Sequence, residues 1–119
     1  MILVDTSVWI GHFRKHDAAL FQMLIDGRVG THPFILGELA CGNFKNRAGV
    51  LTALRALPAV PVADEAEAYY LLETYRLWGT GMGWVDLHVL TAAAVAGWRL
   101  LTFDAAMQRA AAKVGVPHT

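Results

Sequence analysis

Ile2-Leu3-Val4-Asp5-Thr6-Ser7 opens the chain, and Trp98-Arg99-Leu100-Leu101-Thr102-Phe103-Asp104 repeats its design near the other end. Each is a short apolar run of strand-forming residues closed by an aspartate with hydroxyl side chains beside it. Such runs read as strands, and aspartate is a preferred N-cap for the helix that follows. Strands alternating with helical segments predict an α/β fold with a parallel sheet. In an open parallel sheet, ligands bind beyond the carboxyl ends of strands at a topological switch point. Asp5 and Asp104 are therefore expected to be neighbours at such a place.

Outward from these two segments, helical spacing accounts for most of the chain. Val8, Trp9, Ile10 and Phe13 suit a short helix, and Asp17 is placed to cap another carrying Leu20, Phe21, Leu24 and Ile25 up to Gly27. Arg28 to His32 is a further strand candidate, and Pro33 suits the first turn of a helix containing Phe34, Ile35, Glu38 and Leu39 and running to Gly42. A helix is expected from Asn46 to Leu57, halted by Pro58, with Val60-Pro61-Val62 as a short strand or sheet edge. Asp64 and Glu67 form an approximate capping box ahead of Ala68, Leu71, Leu72, Tyr75 and Trp78, a stripe expected in the core or at an interface. Gly79-Thr80-Gly81-Met82-Gly83 matches neither a dinucleotide nor a Walker fingerprint and reads as a loop. Asp86 then stands in the first turn of an apolar helix ending at Gly97, and a last helix runs from Ala105 to Lys113.

A length of 119 residues with 55% hydrophobic content predicts a single domain, residues 1–119, with core enough to fold without disulfides or a structural metal. The single cysteine, Cys41, excludes an internal bridge and a thiolate metal centre, reads as a small packing residue, and favours a reducing cytoplasm. The opening residues lack the basic region and cleavage site of a signal peptide. The longest uncharged run, Leu87 to Trp98, falls short of the roughly 20 residues that cross a bilayer. Ten basic and ten acidic residues cancel, so any contact with nucleic acid needs local charge. Arg14, Lys15, Lys45 and Arg47 are the candidates.

Four acidic residues, Asp5, Glu38, Asp86 and Asp104, stand at or near junctions between these segments. Taken singly, each has a structural explanation: a turn residue at Asp5, a pairing with Lys45 at Glu38, and helix-dipole stabilisation at Asp86 and Asp104. Gathered together they repel one another unless cations or protons compensate them, which points to a metal site. Oxygen ligands suit magnesium or manganese, and such ions support phosphoryl transfer by acidifying water and stabilising charge at phosphate. The five histidines are not spaced as metal ligands. Trp9, Trp78, Trp84 and Trp98 are expected in packing roles, with base stacking as an alternative at Trp84.

Val4-Asp5-Thr6-Ser7, Glu38 in an early helix, Asp86 opening a later one and Leu101-Thr102-Phe103-Asp104 resemble, in order and spacing over the whole chain, a PIN-domain ribonuclease of the VapC toxin type. The resemblance implies a three-layer α/β/α domain with a short central parallel sheet. It also implies a magnesium- or manganese-dependent endoribonuclease restrained by a cognate antitoxin. Asp5 and Asp86 would be the principal metal ligands, Glu38 and Asp104 would complete the acidic pocket directly or through water, and Ser7 and Thr102 would be supporting residues. The substrate expected is structured RNA with an exposed single-stranded region. The apolar stripe on residues 71–78 offers a surface for a homodimer or an antitoxin helix. A receiver-like magnesium-binding module is the rival, but no lysine follows a late strand as that family requires. A haloacid-dehalogenase-type phosphatase would need an aspartate where Ser7 stands. A PIN-like binding partner that cleaves little is a third reading.

Overall fold

Ile2–Val4 (β1), Val29–Gly30 (β2) and Arg99–Leu101 (β3) form one parallel sheet in the order β2-β1-β3 in the computed structural model, which describes residues 1–119. Ile2 pairs with Val29 on one side and Arg99 on the other, and Val4 pairs with Leu101. The central strand is apolar throughout and fully buried, as expected where helices cover both faces. Seven helices surround it: α1 (Thr6–Arg14), α2 (Ala18–Ile25), α3 (Pro33–Ala40), α4 (Arg47–Arg55), α5 (Glu65–Thr74), α6 (Trp84–Ala96) and α7 (Ala105–Val114). The architecture is a three-layer α/β/α domain.

The helix boundaries follow local chemistry. Asp17 accepts a hydrogen bond from Leu20 N at 3.0 Å, and Asp64 and Glu67 form both arms of a capping box. Pro33 occupies the first turn of α3, while Gly97 ends α6 in the left-handed conformation, φ 70°. Helix α6 is buried without interruption from Leu87 to Ala93, so it forms the central wall of the core against Leu3, Val4 and Leu100 rather than an amphipathic surface helix.

Several expectations are corrected. Val60-Pro61-Val62 is not a strand. The pairing falls just before it, as a single parallel bridge between Thr31 and Ala59, with Thr31 N bonded to Pro58 O and Val60 N to Thr31 O, both at 2.8 Å. Pro61 has no N–H to carry the ladder further. The other edge is covered by the C-terminal segment, where Leu100 bridges His118, a pairing the sequence did not signal. Helix α3 stops at Ala40 rather than Gly42, and Cys41 is exposed rather than packed. The stripe from Ala68 to Trp78 divides: α5 ends at Thr74, Leu71 on it is buried, and Trp78 lies beyond the helix and is 56% exposed. Among the tryptophans, Trp9 is buried and Trp98 is packed against the core, whereas Trp84 is 43% exposed.

Candidate active site

The parallel sheet delivers its strand ends to one edge, and Asp5 N–H donates to Leu101 O at 2.9 Å. Asp5 therefore sits directly beside Thr102. It holds the N-cap position of α1, but its carboxylate makes no cap bond. Instead, Oδ2 accepts from the hydroxyls of Thr102 at 2.8 Å and Ser7 at 3.0 Å. Each hydroxyl also accepts from backbone: Ser7 Oγ from Phe103 N across the gap at 3.0 Å, and Thr102 Oγ1 from Asp104 N, two residues on, at 3.1 Å. One small network thus ties β1, α1 and the start of α7 together.

The other carboxylates are fixed in the same fashion. Asp104 caps α7, its Oδ1 accepting from Ala106 N at 2.8 Å and Met107 N at 3.3 Å. Asp86, in the first turn of α6, takes Gly83 N–H on Oδ2 at 3.2 Å. Glu38, midway along α3, accepts on Oε1 from Thr6 Oγ1 at 2.8 Å; no pairing with Lys45 forms. All four are anchored through one oxygen and leave the second without a protein donor: Oδ1 of Asp5 and Asp86, Oε2 of Glu38 and Oδ2 of Asp104. The helix-capping and acidic-cluster readings are therefore compatible, because each uses a different oxygen.

Burial raises the pKa of Asp86 above its ordinary value, the Gly83 N–H lowers it in part, and the charges of Asp5 and Asp104 each add a lesser raise. No basic side chain is among the groups acting on it. The structure thus brings these three aspartates within electrostatic reach, while Glu38 joins them through Thr6. No three acidic, histidine or cysteine side chains close tightly enough to hold an ion between them. The donor set is all oxygen and under-compensated, and it fits a hard cation that retains several waters and takes only one or two carboxylates directly.

A group whose pKa is raised on folding contributes stability at acid pH that is lost as pH rises through the folded value. Asp86→Asn, which keeps an oxygen for Gly83 N–H, is therefore expected to raise the melting temperature of the metal-free protein at neutral pH. The gain should shrink toward pH 4, and thermal melts across that range check it. A gain that does not depend on pH would refute the account that burial, with the neighbouring aspartates, disfavours the ionised Asp86.

Three residues not assigned to the site also shape it. Thr6 positions Glu38, a role that a threonine after a strand-end aspartate hints at only weakly. His32 is fully buried, and its Nδ1 accepts from Phe34 N at 2.9 Å, capping α3. Burial, helped by His88, lowers its pKa to about 4, so it is neutral at physiological pH. His88 lies under the rings of Phe34 and Trp84, with centroids 5.4 and 4.5 Å away. Of the basic candidates, Arg47 is committed to the end of α3 through the carbonyls of Ala40 and Gly42. Arg14 and Lys45, in contrast, line a groove of about 390 Å³ together with Glu38, Phe13 and Phe44.

Ribonuclease VapC32 from Mycobacterium tuberculosis, in both strain CDC 1551 / Oshkosh and strain ATCC 25618 / H37Rv, is 46% identical over 117 residues, covering 98% of this chain and 94% of the relative. The model of the PIN domain matches residues 2–113. The chain belongs to the PIN-domain family, and within it is a VapC-like protein.

Proposed function

We propose that the chain is a magnesium- or manganese-dependent endoribonuclease and the toxin of a toxin–antitoxin pair, working in the cytoplasm. The observation that carries this reading is the set of four carboxylates, each held by one oxygen and open at the other. The similarity to Ribonuclease VapC32 supplies the substrate class. Asp5 and Asp86 would hold the cation, with Glu38 and Asp104 completing the pocket directly or through water. When bound, a divalent ion neutralises charge at the phosphate and acidifies water.

The chain's own residues perform the rest. Ser7 and Thr102 spend their hydroxyls on Asp5 and on backbone N–H groups, so neither is free to act as a nucleophile. The attacking oxygen is taken as that of water: its proton passes to one of the open carboxylate oxygens, a new P–O bond forms as the bond to the leaving ribose oxygen breaks, and that oxygen takes up a proton from solvent. Arg14 and Lys45, in the groove beside Glu38, supply the local positive charge that a neutral chain needs to hold a phosphate backbone. The antitoxin and a second copy of the chain are the protein partners, for which the exposed rings of Tyr70 and Trp78 offer apolar surface.

Cleavage of end-labelled structured RNA by purified, antitoxin-free protein tests this. Cutting is expected with manganese or magnesium and is expected to vanish with chelator. Folded protein that cuts no RNA in a broad panel, and whose melting temperature does not respond to either metal, would leave a noncatalytic binding module as the better reading.

A further inference from the structure

We infer that the exposed rings of Phe34 and Trp84, propped on buried His88, form a nucleobase-stacking subsite that positions a residue of the RNA next to the bond to be cut. This deepens the ribonuclease reading and rests on it. Trp84 opens α6 two residues ahead of Asp86, and Phe34 lies one turn before Glu38 on the same side of α3. Phe34 thus carries the ring group up to Glu38, and Trp84 shares the first turn of α6 with Asp86. They remain exposed, Trp84 by 43%, Phe34 by 39% and the adjoining Tyr69 by 48%, and lie together rather than scattered.

The geometry within the group leaves the rings unstacked on one another. His88 meets Phe34 at an interplanar angle of 65° and Trp84 at 78°, and Tyr69 lies 5.0 Å from Trp84 at 48°. No ring of this group is stacked parallel on another. His88 is only 7% exposed and fixes both neighbours from beneath. Carboxylates and a cation can grip phosphate but cannot hold a base. Sequence-selective handling of single-stranded RNA generally splays bases onto aromatic side chains, and each stacked base contributes roughly fivefold to a hundredfold in affinity.

The test uses the shortest single-stranded oligonucleotide that wild type cuts, beside versions with an abasic residue on either side of the cleaved bond. Wild type is expected to lose about tenfold in kcat/KM on one abasic substrate, mainly through KM. Trp84→Ala combined with Phe34→Ala should show that loss already on intact RNA and no further loss on the abasic version. Trp84→Phe should restore discrimination, and Phe21→Ala, on an exposed ring of α2 with no part in the site or in a partner surface, should behave as wild type. The inference is overturned if the double variant, folded by its melting curve, discriminates against the abasic RNA as wild type does. A changed oligomeric mass with discrimination intact overturns it likewise and assigns the rings to a protein interface. Wild type that cuts no RNA would instead remove the ribonuclease reading itself.

Discussion

Asp5→Asn is expected to lower RNA cleavage by at least 10²- to 10³-fold while leaving the fold in place, because ion binding at a transferring phosphate supplies several kcal/mol of transition-state stabilisation. Asparagine keeps an oxygen for the Ser7 and Thr102 hydroxyls, so packing around residue 5 survives while the negative charge does not. Two measurements together decide the matter. Cleavage rates report the chemistry, and thermal melts with and without millimolar manganese report the ion, since a ligand bound only by the native state raises its stability by mass action. Wild type should show the shift and Asp5→Asn should lose most of it. A folded variant that cuts RNA at the wild-type rate would remove Asp5 from the centre of the site. Thr102→Val is the companion: it leaves the charge but withdraws the buried hydroxyl that orients it. Losses of 10- to 100-fold in activity and about 1 to 3 kcal/mol in stability are expected.

Gly30→Ala should cost stability without touching an acidic residue. A Cβ at this position would lie 2.2 Å from Trp98 Cζ3, 2.6 Å from Trp98 Cη2 and 2.9 Å from the carbonyl oxygen of Pro58. The indole could be displaced, but the backbone carbonyl belongs to the segment bridged to Thr31 and has little freedom to retreat. Overpacking of this kind costs about 1 to 3 kcal/mol, which for a domain of this size lowers the melting temperature by roughly 4 to 15 °C. Because β2 leads through Thr31 and His32 into α3, displacement should also move Glu38 and reduce activity beyond the loss of folded protein. Chemical denaturation and specific activity measured on the same preparation check both parts. An unchanged melting temperature would mean that the Trp98 ring and the 58–60 segment yield freely, contrary to the close approach described here.

Much of the fold was legible from residues 2–7 and 98–104, because a buried parallel strand must be apolar and the turn after it favours a helix cap. Local chemistry also announced the starts of α2, α3 and α5 through Asp17, Pro33 and Asp64, where a side chain satisfies backbone donors within three residues. The covering of the sheet edges was not legible. Residues 58–60 and 117–119 contribute single bridges, and one paired residue leaves no periodicity to read. The exposure of Trp78 and Trp84 was likewise hidden, since hydrophobicity says that a ring favours burial and not whether the fold has a place for it.

For the candidate site, the identity of the four acidic residues came from their positions at segment junctions and from the family they resemble. Carboxylates there are noticeable because an apolar core gives them no reason to be present. Their division of labour came only with the tertiary structure. Which oxygen of Asp5 is held by Ser7 and Thr102, that Glu38 is steered by Thr6, and that His32 and His88 sit beneath Phe34 and Trp84 all depend on contacts between distant parts of the chain. Sequence determined which chemical groups were present and which short segments they cap or terminate, since those are set by interactions within a few residues. Three-dimensional packing decided which oxygens stay open and which rings face solvent, because strand register and helix rotation are fixed by the whole core at once.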